Sequence, residues 1–263
     1  MALRKTPITS ADCSAEEWDI RCNLAALYRL LAHFKMTDLI YTHVSARLPG
    51  PENHFLINNY GTLFHEMKAS DLVKIDIDGN VIDGTEGQIV NEAGFTIHSA
   101  LHMARHDLMC VIHVHTPAGV AVSCQEQGLL PISQFSLRFF GHLAYHDYEG
   151  IALDLDERSR LIRDMGQHKA MILRNHGLLC GGSTVAEAFY MIYMLDRACD
   201  VQVKAQAGGV PLIKLSEEVC KHTASQIHQP ADSPAHKSRL LAYENMWNAV
   251  IRYIKDGESE YRS

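Results

Sequence analysis

The sequence predicts an α/β protein in which amphipathic helices alternate with short, mainly antiparallel strands. Three observations carry this reading. Ser14 and Glu17 form an S-x-x-E pattern, which satisfies the first free amides of a helix, and Trp18, Cys22, Ala25, Leu27, Tyr28, Leu31 and Phe34 follow at helical spacing. Short β-like runs at 41–47, 55–57 and 73–77 are separated by Pro49-Gly50-Pro51 and Asn59-Tyr60-Gly61, residues suited to turns. Finally, the stretch 91–116 reads as a helix, a short turn and a fully buried strand, because Leu108-Met109-Cys110-Val111-Ile112 is uninterruptedly apolar.

In chain order, residues 1–12 are expected to form a loose arm before the first helix, which should run to about Phe34. Asp78-Gly79-Asn80 predicts a hairpin turn with Val81-Ile82 as the return. The central helix falls within 87–105. Ile97, Leu101 and Ala104 mark one face, and His98, His102 and His106 share another at i, i+4 and i+8. His102 and His106 read as a polar stripe, and His98 as close enough to the strand end to support it. Thr116-Pro117 ends the buried strand and a short helix follows to Ser123. Leu129-Leu130-Pro131-Ile132 suggests an edge segment, since proline suits a sheet edge. A helix is expected over 156–167 and a strand and turn over 169–180. Thr184 and Glu187 then open a long, nearly all-apolar helix that stops at Gly208-Gly209. Residues 221–239 read as a polar surface loop, and 240–255 as an amphipathic C-terminal helix. The length suits a single domain spanning 1–263.

Composition narrows the function. The formal charge of −7 argues against a nucleic-acid partner held by phosphate contacts, though it leaves room for a local basic pocket. No apolar window is long enough to span a membrane, and the N-terminus lacks the apolar core of a signal peptide. The cysteines are odd in number and scattered without a CxxC pair, which points to a reducing, cytoplasmic setting.

The candidate chemistry centres on histidine. His113 and His115 stand at i and i+2 at the end of the buried strand, so both rings project to the same side. Neutral imidazole is a good ligand for zinc and related divalent ions. Taken alone the pair reads as ordinary polar residues at a strand end; the second stretch, ending in His176-Gly177, is what turns it into a metal-site candidate.

With HVHT followed later by LRNHG, the chain resembles the class II aldolase/adducin family. YTHVSAR, INNYGTLFHEM, GFTIHSALHMARHDLMCVIHVHTPAGVAVS, GLLPIS, AYHDYEG and ILRNHGLL carry the resemblance, which covers roughly residues 14–215 and comes closest to adducin heads and their bacterial relatives. It implies a three-layer α/β/α fold around a mainly antiparallel sheet and a homo-oligomer, with a tetramer favoured. It also implies that His113, His115 and His176 hold a divalent metal, zinc (Zn2+) first, near a subunit boundary. The chain departs from the aldolase pattern at two places. Gly94 stands where aldolases carry an acidic ligand and acid/base, with Glu92 two residues earlier. Thr42-His43 and Glu92-Ala93 stand where aldolases carry the Gly-Asn and paired serines that bind phosphate.

The function implied is a metal-dependent lyase acting through a metal-stabilised enediolate on a small anionic substrate, a hydroxy- or keto-acid or a sugar derivative. Glu92 and Tyr145 are the catalytic candidates, with His142 and His146 as further proton carriers. Tyr60 and His43 are the substrate-binding candidates, and Arg47 a further one. The alternatives are an adducin-like oligomerisation or binding domain without turnover, and an epimerase, dehydratase or decarboxylase on the same fold.

Overall fold

The computed structural model describes residues 7–50, 53–82, 88–151 and 156–263. Seven strands form one sheet among these residues: β1 (His43–Arg47), β2 (Phe55–Ile57), β3 (Val73–Ile75), β4 (Cys110–Val114), β5 (Ala144–His146), β6 (Ala170–Leu173) and β7 (Gly177–Gly182). They lie in the order β3-β2-β1-β4-β7-β6-β5. Every neighbouring pair is antiparallel except β5 with β6, which is parallel.

Side-chain alternation sorts the sheet's two faces. Cys110, Ile112 and Val114 of β4 join the larger apolar core with helices α1 (Ala15–His33) and α6 (Val185–Ala207). Val111 points the other way, into a smaller core shared with α2 (Glu92–Ala104) and α5 (Glu157–Met165). Helices therefore cover both faces, which makes a three-layer α/β/α fold. The caps follow the sequence: Ser14 accepts from the Glu17 amide, Thr116 from Gly119 at the head of the short α3 (Pro117–Ser123), Ser133 from Ser136 at the single-turn α4 (Gln134–Leu137), and Thr184 from Glu187. Glu17 does not fold back to complete a capping box. It is drawn instead to the fully buried Arg21 at 3.0 Å and the partly buried Lys74 at 2.9 Å, charges that would be costly to leave unpaired there.

Several sequence expectations change. The loop expected over 221–239 is largely helical: α7 (Glu217–Ile227) and α8 (Pro234–Val250) leave only residues 228–233 between them. Ser216 and Ser233 cap the two helices, and Pro234 occupies the first turn, where a missing N–H costs nothing. The C-terminal helix thus starts before Leu240, and 251–257 tightens into a 3-10 turn. Of the loose arm, residues 1–6 lie outside the described residues, whereas Ile8 is buried and Asp12 ties back to Thr9. Segment 129–132 forms no strand; the edge position belongs to β5. Pro51 and Gly87 lie outside the described residues.

Candidate metal centre and active site

The antiparallel register brings the start of β1, the end of β4 and the start of β7 to one end of the sheet. His43 pairs directly with His113, and His176 enters from the tight β6–β7 turn through Asn175, which takes a left-handed φ of 55°. Gly177 makes the convergence possible. A Cβ there would stand 2.6 Å from the Val114 carbonyl and 3.0 Å from the His115 ring.

The rings of His113, His115 and His176 have centroids 4.6 to 4.8 Å apart, and one nitrogen from each falls within 4.8 Å of the others. Their partners fix the tautomers. His113 Nδ1–H donates to the Leu178 carbonyl at 3.0 Å, and His115 Nδ1–H donates to Asp38 Oδ2 at 3.0 Å. In the neutral rings both Nε2 atoms are then bare lone pairs, and they face each other at 2.8 Å. Two acceptors at that distance repel unless a cation lies between them. This donor set, oriented from behind by a carbonyl and a carboxylate, fits a divalent metal. Burial holds His113 far below the usual histidine range, helped by His176 and His43. Burial and then His115 lower His176 to about 4. Both are therefore neutral ligands at physiological pH.

The histidines line a cavity of about 600 Å³. His43 and Tyr60 line it too, as the sequence suggested, and so do Asp38, Thr42 and Asn175, which sequence reasoning missed. Asp38 lies in an irregular segment with no motif, so no local signal marks it. Thr42 carries a signal visible only in the backbone: a β-branched residue at φ 70°, buried, whose Oγ1 has no hydrogen-bond partner among the described residues.

Behind His43 runs a buried polar chain. His43, Ser45 and Arg47 occupy the face of β1 that meets α2, opposite Val44 and Ala46 in the larger core. His43 Nδ1 lies 2.8 Å from His98 Nε2. Ser45 Oγ lies 2.5 Å from His98 Nδ1 and 2.7 Å from His102 Nε2. His102 is therefore not part of an exposed polar stripe, because the strand supplies its partner; only His106, beyond the helix end, is exposed. Burial lowers His43 and His98 far below the usual range. It takes His102 to about 3, with Arg47 adding repulsion. Charge is thus opposed along the whole chain, which orients His43 and does not store a proton. His43 Nε2 remains as the ring's free polar atom. The ring fills the space beside Gly94, where a Cβ would meet it at 2.6 Å.

Other candidates fall elsewhere. Glu92 is exposed in the first turn of α2 and does not line the cavity. Tyr145 accepts from the Leu129 amide at 3.0 Å and stacks under Arg174, lining a different hollow; its hydroxyl has a structural job. Arg47 is occupied by the His102 carbonyl and Asn53. His146 is bound between Asp164 at 2.8 Å and Glu157 at 3.4 Å, and His142 stacks on His228 in a separate cleft.

A three-layer α/β/α protein with three imidazoles converging at one end of a mainly antiparallel sheet has the architecture of the class II aldolases. The family model described as "Class II Aldolase and Adducin N-terminal domain" matches residues 22–203. The chain belongs to the class II aldolase/adducin family. It is 47% identical over 252 residues to a Pseudomonas aeruginosa protein that carries an aldolase class 2 designation, covering 96% of this chain and 95% of that protein. It is 48% identical over 194 residues to rat alpha-adducin, covering 72% of this chain but only 26% of the adducin. Among solved structures, an aldolase II superfamily protein from Pseudomonas syringae superposes with a TM-score of 0.90 at 48% identity, covering 98% of this chain and 100% of that one. The L-fuculose 1-phosphate aldolase of Glaciozyma antarctica superposes with a TM-score of 0.80 at 29% identity, covering 98% and 97%.

Proposed function

We propose that the protein is a divalent-metal-dependent lyase of the aldolase type, acting on a small hydroxy- or keto-acid or sugar derivative. The observation that carries this is the pair of bare Nε2 atoms of His113 and His115 facing each other, with His176 beside them. A divalent ion held there, zinc first, supplies Lewis-acid polarisation of a substrate oxygen. Asp38 and the Leu178 carbonyl keep the ligand rings oriented. His43, neutral and backed by His98, presents Nε2 to the cavity and takes the place of the acid missing at Gly94: it gives or accepts the hydrogen bond at the reacting centre. Tyr60 and Asn175, which line the cavity, hold substrate hydroxyls or a carboxylate.

No Lys or Arg lines the cavity among the described residues. An anionic substrate is therefore drawn by the metal and not by a basic clamp, and the Asp38 carboxylate partly offsets that charge. This favours a single carboxylate over a phosphate. Exposed Tyr41, Tyr148 and Ile151 at the cavity mouth support closure by a second copy of the chain, in a homo-oligomer that light scattering would size. We place the work of the protein in the cytoplasm.

A second reading, an adducin-like binding domain without turnover, is favoured by glycine at position 94 and by the adducin identity. Metal analysis of purified protein and His113→Ala, with a panel of hydroxy-acids, keto-acids and sugar derivatives assayed for carbonyl products, separates the two. Stoichiometric metal lost in the variant, with turnover, supports the lyase. Metal without turnover supports the binding domain. Protein that takes up no metal at neutral pH overturns the centre itself.

A further inference from the structure

A second cavity, of about 400 Å³, shares no lining residue with the histidine centre. It lies where the start of β6 meets α6, α8 and the connection between α7 and α8, and its walls are basic. Arg138, Lys169 and Arg239 converge there with a single carboxylate, Glu187. That carboxylate is already taken: Lys169 Nζ lies 2.7 and 2.9 Å from its two oxygens, and Ser183 donates to it through both amide and hydroxyl.

The two guanidiniums are left uncompensated. Arg138 donates one bond to Tyr190 Oη at 2.7 Å and lies over that ring at 4.7 Å; Arg239 donates one bond to the Gln226 carbonyl at 2.9 Å. Among the described residues neither pairs with a carboxylate, so most of the five N–H donors on each are unspent. Their charges reach the same place, since both act on His228 and on Tyr243. His228 stacks face to face on His142 at 3.5 Å and is pinned by the Arg138 carbonyl at 2.7 Å, which builds a fixed wall between them. A chain of formal charge −7 that gathers two unpaired guanidiniums in one concavity keeps them together against their mutual repulsion.

We propose that this cleft binds a small phosphate-bearing anion at a site separate from the metal centre. Two planar guanidinium forks match the oxygens of a phosphate dianion.

The test uses the whole purified protein and titrates inorganic phosphate, then a hexose monophosphate, at ionic strength held constant with sodium chloride. Binding is followed by calorimetry and by thermal melting. The expected result is saturable binding that weakens at least tenfold in Arg239→Gln and disappears in Arg138→Gln/Arg239→Gln, with metal content unchanged in both. Arg239 is half-buried and makes one backbone bond, to the Gln226 carbonyl, so its single variant keeps the experiment decisive if the double variant misfolds. Tighter binding of the ester than of free phosphate assigns the ester as ligand, and equal binding assigns phosphate alone. No saturable binding, or binding unchanged by Arg239→Gln, overturns the proposal. The readout is independent of turnover, so its failure leaves the lyase reading untouched, and the converse holds.

Discussion

Ser45→Ala removes one oxygen that holds two buried imidazoles. Oγ sits 2.5 Å from His98 Nδ1 and 2.7 Å from His102 Nε2, and all three residues are 0% exposed. A hydroxyl has one proton to give, so one of these bonds is donated by serine and the other by a ring. Alanine strands one buried acceptor and one buried donor. Each costs about 1–3 kcal/mol, so the substitution should destabilise by about 2–5 kcal/mol once partial relaxation is allowed. That is a large share of a stability of about 5–15 kcal/mol. Urea unfolding of the variant beside wild type measures it. Ser99→Ala is the control, because its hydroxyl bonds only carbonyls of its own helix, Phe95 at 2.5 Å and Thr96 at 3.3 Å, and should cost about 1 kcal/mol or less. A Ser45→Ala loss no larger than that of the control would refute the buried chain behind His43.

Three further outcomes are expected. Asp38→Asn keeps the shape of the acceptor behind His115 but removes its charge, and metal affinity should fall about 10–100-fold in a competitive chelator titration, with the fold intact by circular dichroism. Burial lowers His176 and His228 to about 4 in the folded protein, below the ordinary histidine value of about 6.5, so the unfolded chain takes up their protons first. Their contribution to stability of the metal-free protein is complete above about pH 6.5 and is lost as pH falls toward 4; a urea midpoint that stays flat across that window contradicts it. Gly177→Ala forces a methyl to 2.6 Å from the Val114 carbonyl and should cost about 1–3 kcal/mol and displace the His115 ring, seen together as a lower melting temperature and lost metal.

How much of this was readable in the chain depends on how local the signal is. The three ligands were legible, since HxH at a strand end and His-Gly at a turn are patterns of a few residues. The pair His98 and His102 was visible as an i, i+4 stripe, but its burial was not, because that depends on Ser45 arriving from a strand far away in sequence. Asp38 was illegible for the same reason: it meets His115 only through folding. Tyr145 stands in AYHDYEG, one of the stretches that carry the family resemblance, but its hydroxyl serves the Leu129 amide, a partner the local sequence does not reveal. Helix α7 escaped notice because its buried face amounts to Cys220 and Ala224, too narrow a stripe to outweigh its polar majority and the prolines that follow. The local feature that marks α7 and α8 is the serine cap before each, at 216 and 233.

The placement of His176 has a consequence for how the molecule assembles. His113 and His115 are neighbours along one strand, but His176 joins them only after a loop of about sixty residues has closed and β7 has docked beside β4. The complete ligand set thus exists only in chains that have made this distant pairing. An ion with full coordination reports the end of folding and not its start, and the rate at which refolding protein captures metal should track the slowest long-range step of the sheet.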